Sequence, residues 1–286
     1  MTISEVLLSI KKLFDFKEWL DDRKYAKRSD TRAIAKRVMR IFDAHDIPVA
    51  RIASVFPEFN FQLSDFDNLD SIRKVITIRF LDRLSEHFFI NRFWLDTGEG
   101  RIQDFYEVGY DFGSVYDLIV DYPIKHDEVI TAHFMAEQNI IFVPTEDYDT
   151  NQNVMIVLQC REQKSEKNEF SYSRFLPVYF GYWDYYKTRM MIKAMSLLFF
   201  QDKKVLTQKG DFIHHLSENI LANSFSAELI QNTVKLGLWH PDDFIFCNGK
   251  SAQEKDRVDA EQMHDYLKQI GFYQKIKELR SSRYFN

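Results

Sequence analysis

The chain has 286 residues, with 38 Lys and Arg against 43 Asp and Glu, so its formal net charge at pH 7 is −5. This balance argues against a surface that is basic throughout, although it permits a local basic patch. The 26 Phe and 14 Tyr against only 9 Gly and 6 Pro argue against a disordered chain, and two distant cysteines argue against a disulfide framework. The same cysteine usage indicates a reduced, cytoplasmic setting. Because the sequence contains no run of about 20 uncharged apolar residues, we expect no membrane span and no membrane partner.

The chain starts with a predicted helix over residues 4–21, which is followed by a dense basic run. Apolar residues recur at helical spacing from Val6 to Leu20. The basic run, which only Asp30 opposes, has two interpretations: a solvated helix face, or a patch that contacts phosphates. Its cations are Arg23, Lys24, Lys27, Arg28, Arg32, Lys36, Arg37 and Arg40.

Helical periodicity continues to residue 100 and predicts several short amphipathic helices. Pro48 is suited to the first turn of the second helix, and Pro57 ends it. Gly98 and Gly100 end the last one. The apolar stripes of the first three helices are Ile34, Val38, Ile41 and Phe42; then Val49, Ile52, Ala53 and Phe56; then Ile76, Phe80, Leu81 and Leu84.

Two segments of this region carry a family resemblance. The sequence RFLDRLSEHFFINRFWLDTGEG, at residues 79–100, resembles the end of a lambda-repressor-like (Xre-type) helix-turn-helix domain, in which a helix is followed by a Trp-Leu pair and a Thr-Gly-Glu-Gly exit. HDIPVARIASVF, at residues 45–56, is similar to the turn and second helix of the same family. The resemblance covers about a quarter of the chain and implies DNA binding.

The resemblance places the recognition helix, which reads bases in the major groove, near residues 60–68. That segment, NFQLSDFDN, contains no Lys or Arg, and the carboxylates of Asp65 and Asp67 repel phosphates. We therefore expect phosphate contacts from the basic run and base contacts from the polar side chains of this segment. The expected DNA-contacting residues are Arg32, Lys36, Arg37, Arg40 and Arg51 for phosphates, and Gln62, Ser64 and Asn68 for bases.

The second half of the chain changes to the pattern of β-strands. Four runs rich in β-branched and aromatic residues, at 129–137, 139–144, 153–162 and 170–183, are separated by short turn-like segments, which predicts an antiparallel meander. Helices are predicted over residues 183–200, twice within 210–236, and over 254–282 with a break at Gly271.

These elements predict an α+β protein with two domains. An all-helical, lambda-repressor-like domain over residues 1–104 is followed by an antiparallel sheet with covering helices over residues 120–286, which would sense a signal or dimerise. The aromatic run of 170–186 is typical of a core strand. Alternatively, Tyr179, Tyr182, Trp183 and Tyr185 line a ligand pocket, for a small molecule or protein, or a dimer interface.

No enzyme pattern emerges from the sequence. The pair His214-His215 with Glu218 lacks the further ligands of a metal site, and Cys247 has no base nearby. We therefore expect no catalytic activity, no metal and no cofactor. The leading hypothesis is a transcriptional regulator that binds double-stranded DNA as a homodimer; the alternative is a protein-interaction module built on a helix-turn-helix domain that has lost DNA binding.

Overall fold

The computed structural model describes residues 30–103, 128–137, 152–162, 170–201, 205–212, 218–231, 233–238, 240–247 and 254–284. The predicted helix at 4–21, the cations at 23–28, the run at 139–144 and the pair His214-His215 lie outside the described residues. The chain divides at residue 100 into two compact units, except that His87–Phe89 group with the second unit. The predicted boundaries at 104 and 120 stay predictions.

In its described residues the first unit contains helices and 3₁₀ turns but no strand. The helices are α1 (residues 30–44), α2 (Val49–Val55), α3 (Leu69–Val75), α4 (Ile78–Phe88) and α5 (Arg92–Thr97), with 3₁₀ turns at Pro57–Phe59 and Leu63–Phe66. The side-chain oxygen of Asn91 accepts the backbone N–H groups of Phe93 and Trp94 and so caps α5. Gly98, at φ 80°, ends it.

Phenylalanines fill the centre of this unit. The ring of Phe56 packs edge-on against Phe42 at 6.3 Å and against Phe80 at 5.5 Å, and Phe61 lies 4.9 Å from Phe80. Val38, Ile41, Phe42, Ile52, Phe56, Phe80, Leu81 and Leu84 of the predicted apolar stripes are buried. The predicted burial of the α1, α2 and α4 faces is therefore confirmed at these positions, whereas Val49 is exposed.

The described part of the second unit is built on a five-stranded sheet with the order β3-β2-β1-β4-β5. The strands are β1 (Glu128–Glu137), β2 (Asn153–Glu162), β3 (Ser173–Tyr182), β4 (Val205–Phe212) and β5 (Thr233–Leu238). Its described helices are α6 (Tyr186–Gln201), α7 (Glu218–Asn223), α8 (Ser226–Gln231), α9 (Asp242–Phe246), α10 (Glu254–Gln269) and α11 (Phe272–Tyr284).

The prediction of an antiparallel sheet is wrong, because the sheet is mixed. Three of the four predicted strands, β1, β2 and β3, pair antiparallel, but β4 pairs with β1 in parallel, with Ile130 opposite Val205. Since β3 also runs parallel to β1, the connection from β3 to β4 needs a crossover, and α6 supplies it. The α+β class itself is confirmed.

The prediction of two helices over residues 210–236 is only partly right. α7 and α8 lie within this range, but β4 occupies its start and β5 its end. The sequence VLTQKGDF has few β-branched residues, and it forms a strand because it pairs with β1 on one side and β5 on the other.

The two faces of the sheet pack against different helices. On one face, Phe134 and Ile156 belong to a core with Met195 of α6, Leu267 of α10 and Phe272 of α11. On the other, Met135, Met155 and Val157 pack with Leu221 of α7 and with Leu229 and Ile230 of α8.

None of the described helices combines the length and apolar character that crossing a membrane requires.

Candidate functional site

Three predicted phosphate-contacting residues form an exposed row on α1. Arg32, Lys36 and Arg40 are four residues apart, so successive side chains lie one turn along the same side of the helix. We call these three residues the cationic face. Arg51, on α2, is also exposed.

Arg37 has a different environment from its neighbours on α1. Its Nε donates a hydrogen bond to the carbonyl oxygen of Leu95 at 2.8 Å, and its Nη2 donates to that of Asp96 at 2.7 Å. These carbonyls belong to the last turn of α5, where a cation also interacts favourably with the helix dipole. Burial lowers the pKa of the Arg37 guanidinium, while Asp96 and Asp30 raise it. The structure thus gives Arg37 a helix-capping role.

The motif that carries the family resemblance closes this unit. Trp94 and Leu95 are buried, as expected for the Trp-Leu pair. Gly98 adopts a left-handed conformation, and its N–H donates to the carbonyl of Trp94 at 2.7 Å. A Cβ atom at Gly98 would come within 2.9 Å of Arg37 Nη1, so the glycine also makes room for the guanidinium that caps α5.

The expected recognition helix at residues 60–68 does not form. This segment is irregular apart from the 3₁₀ turn Leu63–Phe66, and the α-helix begins only at Leu69. The backbone N–H of Gln62 donates to Asp65 Oδ2 at 2.8 Å, and the amide oxygen of Asn68 accepts from the N–H groups of Asp70 and Ser71, both at 3.0 Å. Local hydrogen bonds of this kind favour turns and helix starts over a helix interior.

The three predicted base-reading residues therefore differ in how far their side-chain polar atoms are already used within the protein. Gln62 and Ser64 are exposed, and the Nε2 of Gln62 donates to the carbonyl of Asn60 at 3.3 Å. Asn68 is exposed too, but its oxygen serves as the N-cap of α3.

Sequence reasoning missed two cations that α3 carries. Arg73 and Lys74 lie in its last turn, and Lys74 is exposed. Arg73 donates from Nη1 to Asp70 Oδ1 at 2.9 Å and from Nε to Thr31 Oγ1 at 3.0 Å. An Asn followed by LDSIRKV is a helix-start signal, and it could have placed both residues on a helix.

A cavity of about 510 Å³ in the second unit contains three of the four predicted aromatic candidates. Tyr179, Tyr182 and Tyr185 line it, whereas Trp183 is buried and stacks on Phe244 with 6.2 Å between ring centroids. The remaining lining residues are Phe180, Gly181, Asp184 and Thr188. All seven come from the end of β3, the turn after it and the first turn of α6. We call this site the tyrosine cavity.

A buried cluster of polar groups lies between α6, α9 and α10. Lys193, which has no exposed surface, donates from Nζ to the carbonyl of Phe244 at 2.8 Å and lies 3.5 Å from Asp256 Oδ1 and 3.7 Å from Cys247 Sγ. Burial raises the pKa of the Cys247 thiol, which opposes thiolate formation. The described residues contain no group of three or more His, Cys, Asp or Glu side chains that could hold a metal ion.

Comparison of the chain with protein-family models, with curated proteins and with solved structures gave no match.

Proposed function

We propose that the chain is a transcriptional regulator that binds double-stranded DNA through its N-terminal helical unit. The observation that carries this proposal is the cationic face, in which Arg32, Lys36 and Arg40 lie exposed on one side of α1. Neutralised phosphates supply most of the affinity of proteins for DNA, and the first helices of a helix-turn-helix domain contact the backbone. The second unit would sense a ligand or dimerise.

The arrangement of the unit supports a lambda-repressor-like domain. It has five helices in the described residues, and the Trp94-Leu95 pair and Gly98 close the last one, as the resemblance implies. α3, rather than residues 60–68, is the helix that follows α2. Lys74 on α3 therefore joins Arg51 of α2 as a candidate phosphate contact, while Gln62 and Ser64 remain candidates for base contacts.

The deciding experiment is an anisotropy titration at two salt concentrations, with DNA from upstream of the protein's own gene. The variant Lys36→Glu/Arg40→Glu reverses two charges of the cationic face. Arg37 is left intact, because its guanidinium caps α5 and its loss would impair folding. The matched control is Lys275→Glu/Lys277→Glu, which makes the same charge change at two exposed lysines of α11.

We expect the wild type and the control to bind and the cationic-face variant to lose most of its affinity. Each phosphate contact removed lowers the slope of log affinity against log salt concentration by about one unit. Circular dichroism must show the same fold in all three proteins. If the wild type does not bind DNA at low salt, the proposal fails. An equal loss of DNA affinity in the variant and the control would show a non-specific charge effect and would also contradict the proposal.

A second candidate function is protein interaction, and exposed apolar side chains of the same unit favour it. Ile78 is 75% exposed, Leu63 58% and Phe93 57%. Contiguous exposed apolar patches are typical of surfaces that meet another protein, so this function requires the three side chains to form one patch. If DNA binding is absent, affinity capture with the wild type and with Ile78→Glu/Phe93→Glu tests this function. A partner that both proteins retain equally would contradict a role for these side chains.

A further inference from the structure

We propose that the tyrosine cavity binds a small organic cation of the alkylammonium class. The cavity belongs to the second unit and includes no residue of the proposed DNA surface. The inference therefore goes beyond the DNA binding proposed for the first unit and names a ligand class for the second. Its volume, about 510 Å³, lies within the range of small-molecule sites. Tyr182 and Tyr185 are partly exposed, so the cavity opens to solvent.

The walls of the cavity are held in place before any ligand arrives. Tyr179 Oη donates to Thr188 Oγ1 at 3.0 Å, which ties the end of β3 to the first turn of α6. Gly181 packs closely against both hydroxyl groups. A Cβ atom at this position would come within 2.8 Å of Tyr179 Oη and 2.9 Å of Thr188 Oγ1. A site with fixed walls loses less conformational entropy on binding.

The turn that carries Asp184 is also anchored from below. The buried Arg189 donates from Nη1 to the carbonyls of Trp183, at 3.0 Å, and Asp184, at 2.8 Å. Its Nε donates to Asp259 of α10, so the positive charge of the guanidinium is paired on the side away from the turn. The backbone on both sides of the cavity is therefore fixed to the core, while the Asp184 side chain is exposed.

The chemistry of the lining favours a cation. Four of the seven lining residues are aromatic, one is an aspartate, and none is Lys, Arg or His. Aromatic faces attract cations through their quadrupole, and a carboxylate adds a full opposite charge. An alkylammonium group suits this combination, because its alkyl surface is apolar enough to leave water for an aromatic wall.

An anion is the competing ligand, because the cavity borders the start of α6. The positive end of a helix dipole and the free N–H groups of a first turn favour anions. Here, however, Asp184 lines the same cavity two residues before Tyr186, and so places a negative charge beside the start of α6. Because Asp184 repels an anion and attracts a cation, the cavity favours a cationic ligand.

The experiment uses the full chain and choline chloride as the probe, measured by isothermal titration. We expect a dissociation constant on the order of 1 mM or lower. The uncharged isostere, in which a tert-butyl group replaces the trimethylammonium group, should bind at least about fivefold more weakly. Inorganic phosphate should not bind.

Three variants and one control assign the binding to this cavity. Asp184→Asn should weaken choline binding roughly tenfold, and Tyr182→Ala by a similar factor, whereas Tyr182→Phe should keep the affinity because it keeps the ring face. Phe200→Ala removes an exposed aromatic side chain at the other end of α6 and should have no effect. Thermal unfolding checks that each variant folds.

Several results overturn the proposal. Equal binding of choline and its uncharged isostere would make the cavity a merely apolar pocket, and phosphate binding would make it an anion site. Absence of choline binding at roughly 20 mM, about twentyfold above the expected dissociation constant, would exclude an alkylammonium site. If choline fails to bind and Tyr182→Ala converts a dimer into a monomer, the occupant is a second copy of the chain.

Discussion

His45, at the end of α1, makes the stability of the first unit depend on pH. The side chain is only 4% exposed, its Nδ1 lies 2.7 Å from the carbonyl oxygen of Ile41, and burial lowers its pKa from 6.5 to about 4. Between these two values the unfolded chain binds a proton that the folded chain does not. The contribution to stability is therefore complete above pH 6.5 and is lost as the pH falls toward 4.

We expect the free energy of unfolding to fall by about 2 kcal/mol between pH 7 and pH 5 because of this histidine. Urea denaturation at the two pH values measures the difference. His45→Gln removes the titrating group and should lose less stability over the same interval. His240→Gln, at an exposed histidine, should behave like the wild type. An identical pH dependence in His45→Gln and the wild type would show that His45 is not the cause.

At the scale of elements, α6 holds α9 and α10 in place through one buried lysine. Besides its contacts with the Phe244 carbonyl and Asp256, Lys193 Nζ lies 3.8 Å from the centre of the Phe244 ring. Lys193→Met should reduce the free energy of unfolding by about 3 kcal/mol, because it leaves the Asp256 carboxylate without its cation. Denaturant unfolding of the full chain measures this loss.

A double-mutant cycle separates the ion pair from the packing of the lysine stem. Lys193→Met/Asp256→Asn should cost less than the sum of the two single changes, since the second change removes the carboxylate that has lost its contact with Lys193. Lys268→Met on α10, where the lysine is exposed, should stay within about 0.5 kcal/mol of the wild type. Strict additivity in the cycle would mean that the two charges do not interact.

Local sequence signals were sufficient where residues close together in the sequence determine the element. The stripe of α1, the aromatic strand β3, the long helix α6 and the break at Gly271, whose φ is 68°, could all be predicted, because each depends on neighbouring residues in the sequence. β4 and β5 could not, because VLTQKGDF and TVKLGL carry weak strand signals and owe their conformation to pairing with distant residues.

The candidate sites follow the same division. The exposure of Arg32, Lys36 and Arg40 could be expected from their spacing on a helix. The capping role of Arg37 could not, because its partners Leu95 and Asp96 lie far away in the sequence. Likewise, the aromatic run predicted Tyr179, Tyr182 and Tyr185, but the run gave no reason to separate them from the buried Trp183.

At the scale of the whole molecule, we expect a homodimer whose interface does not include the methionines of α6. Met190, Met191 and Met195 are buried in the second unit and offer no surface for pairing. Leu206 of β4 and Leu238 of β5 are exposed instead. Leu238 pairs with Gln208, two residues from Leu206, so the leucines are diagonal neighbours on one face of the sheet.

Light scattering at micromolar concentration should therefore give twice the mass of the 286-residue chain. Leu238→Lys places a charge on the leucine pair and should give a monomer. Tyr186→Lys, at an exposed aromatic residue that follows β3, the opposite edge strand of the described sheet, in the chain, should leave the dimer intact. A monomeric wild type would contradict the prediction, and a dimeric Leu238→Lys variant would move the interface elsewhere.

The parallel pairing of β1 with β4 also fixes when the sheet can be completed during synthesis. Ile130 of β1 pairs with Val205 of β4, which is synthesised much later. β1, β2 and β3 therefore leave the ribosome long before β4 is available to pair with β1. Until then one edge of β1 carries unpaired backbone groups beside the apolar side chains of Phe134 and Met135. Closing so long a loop is slow, and an open apolar edge invites pairing with other chains. The pairing of β4 and β5, rather than that of β1, β2 and β3, therefore determines how long a nascent chain is prone to aggregate.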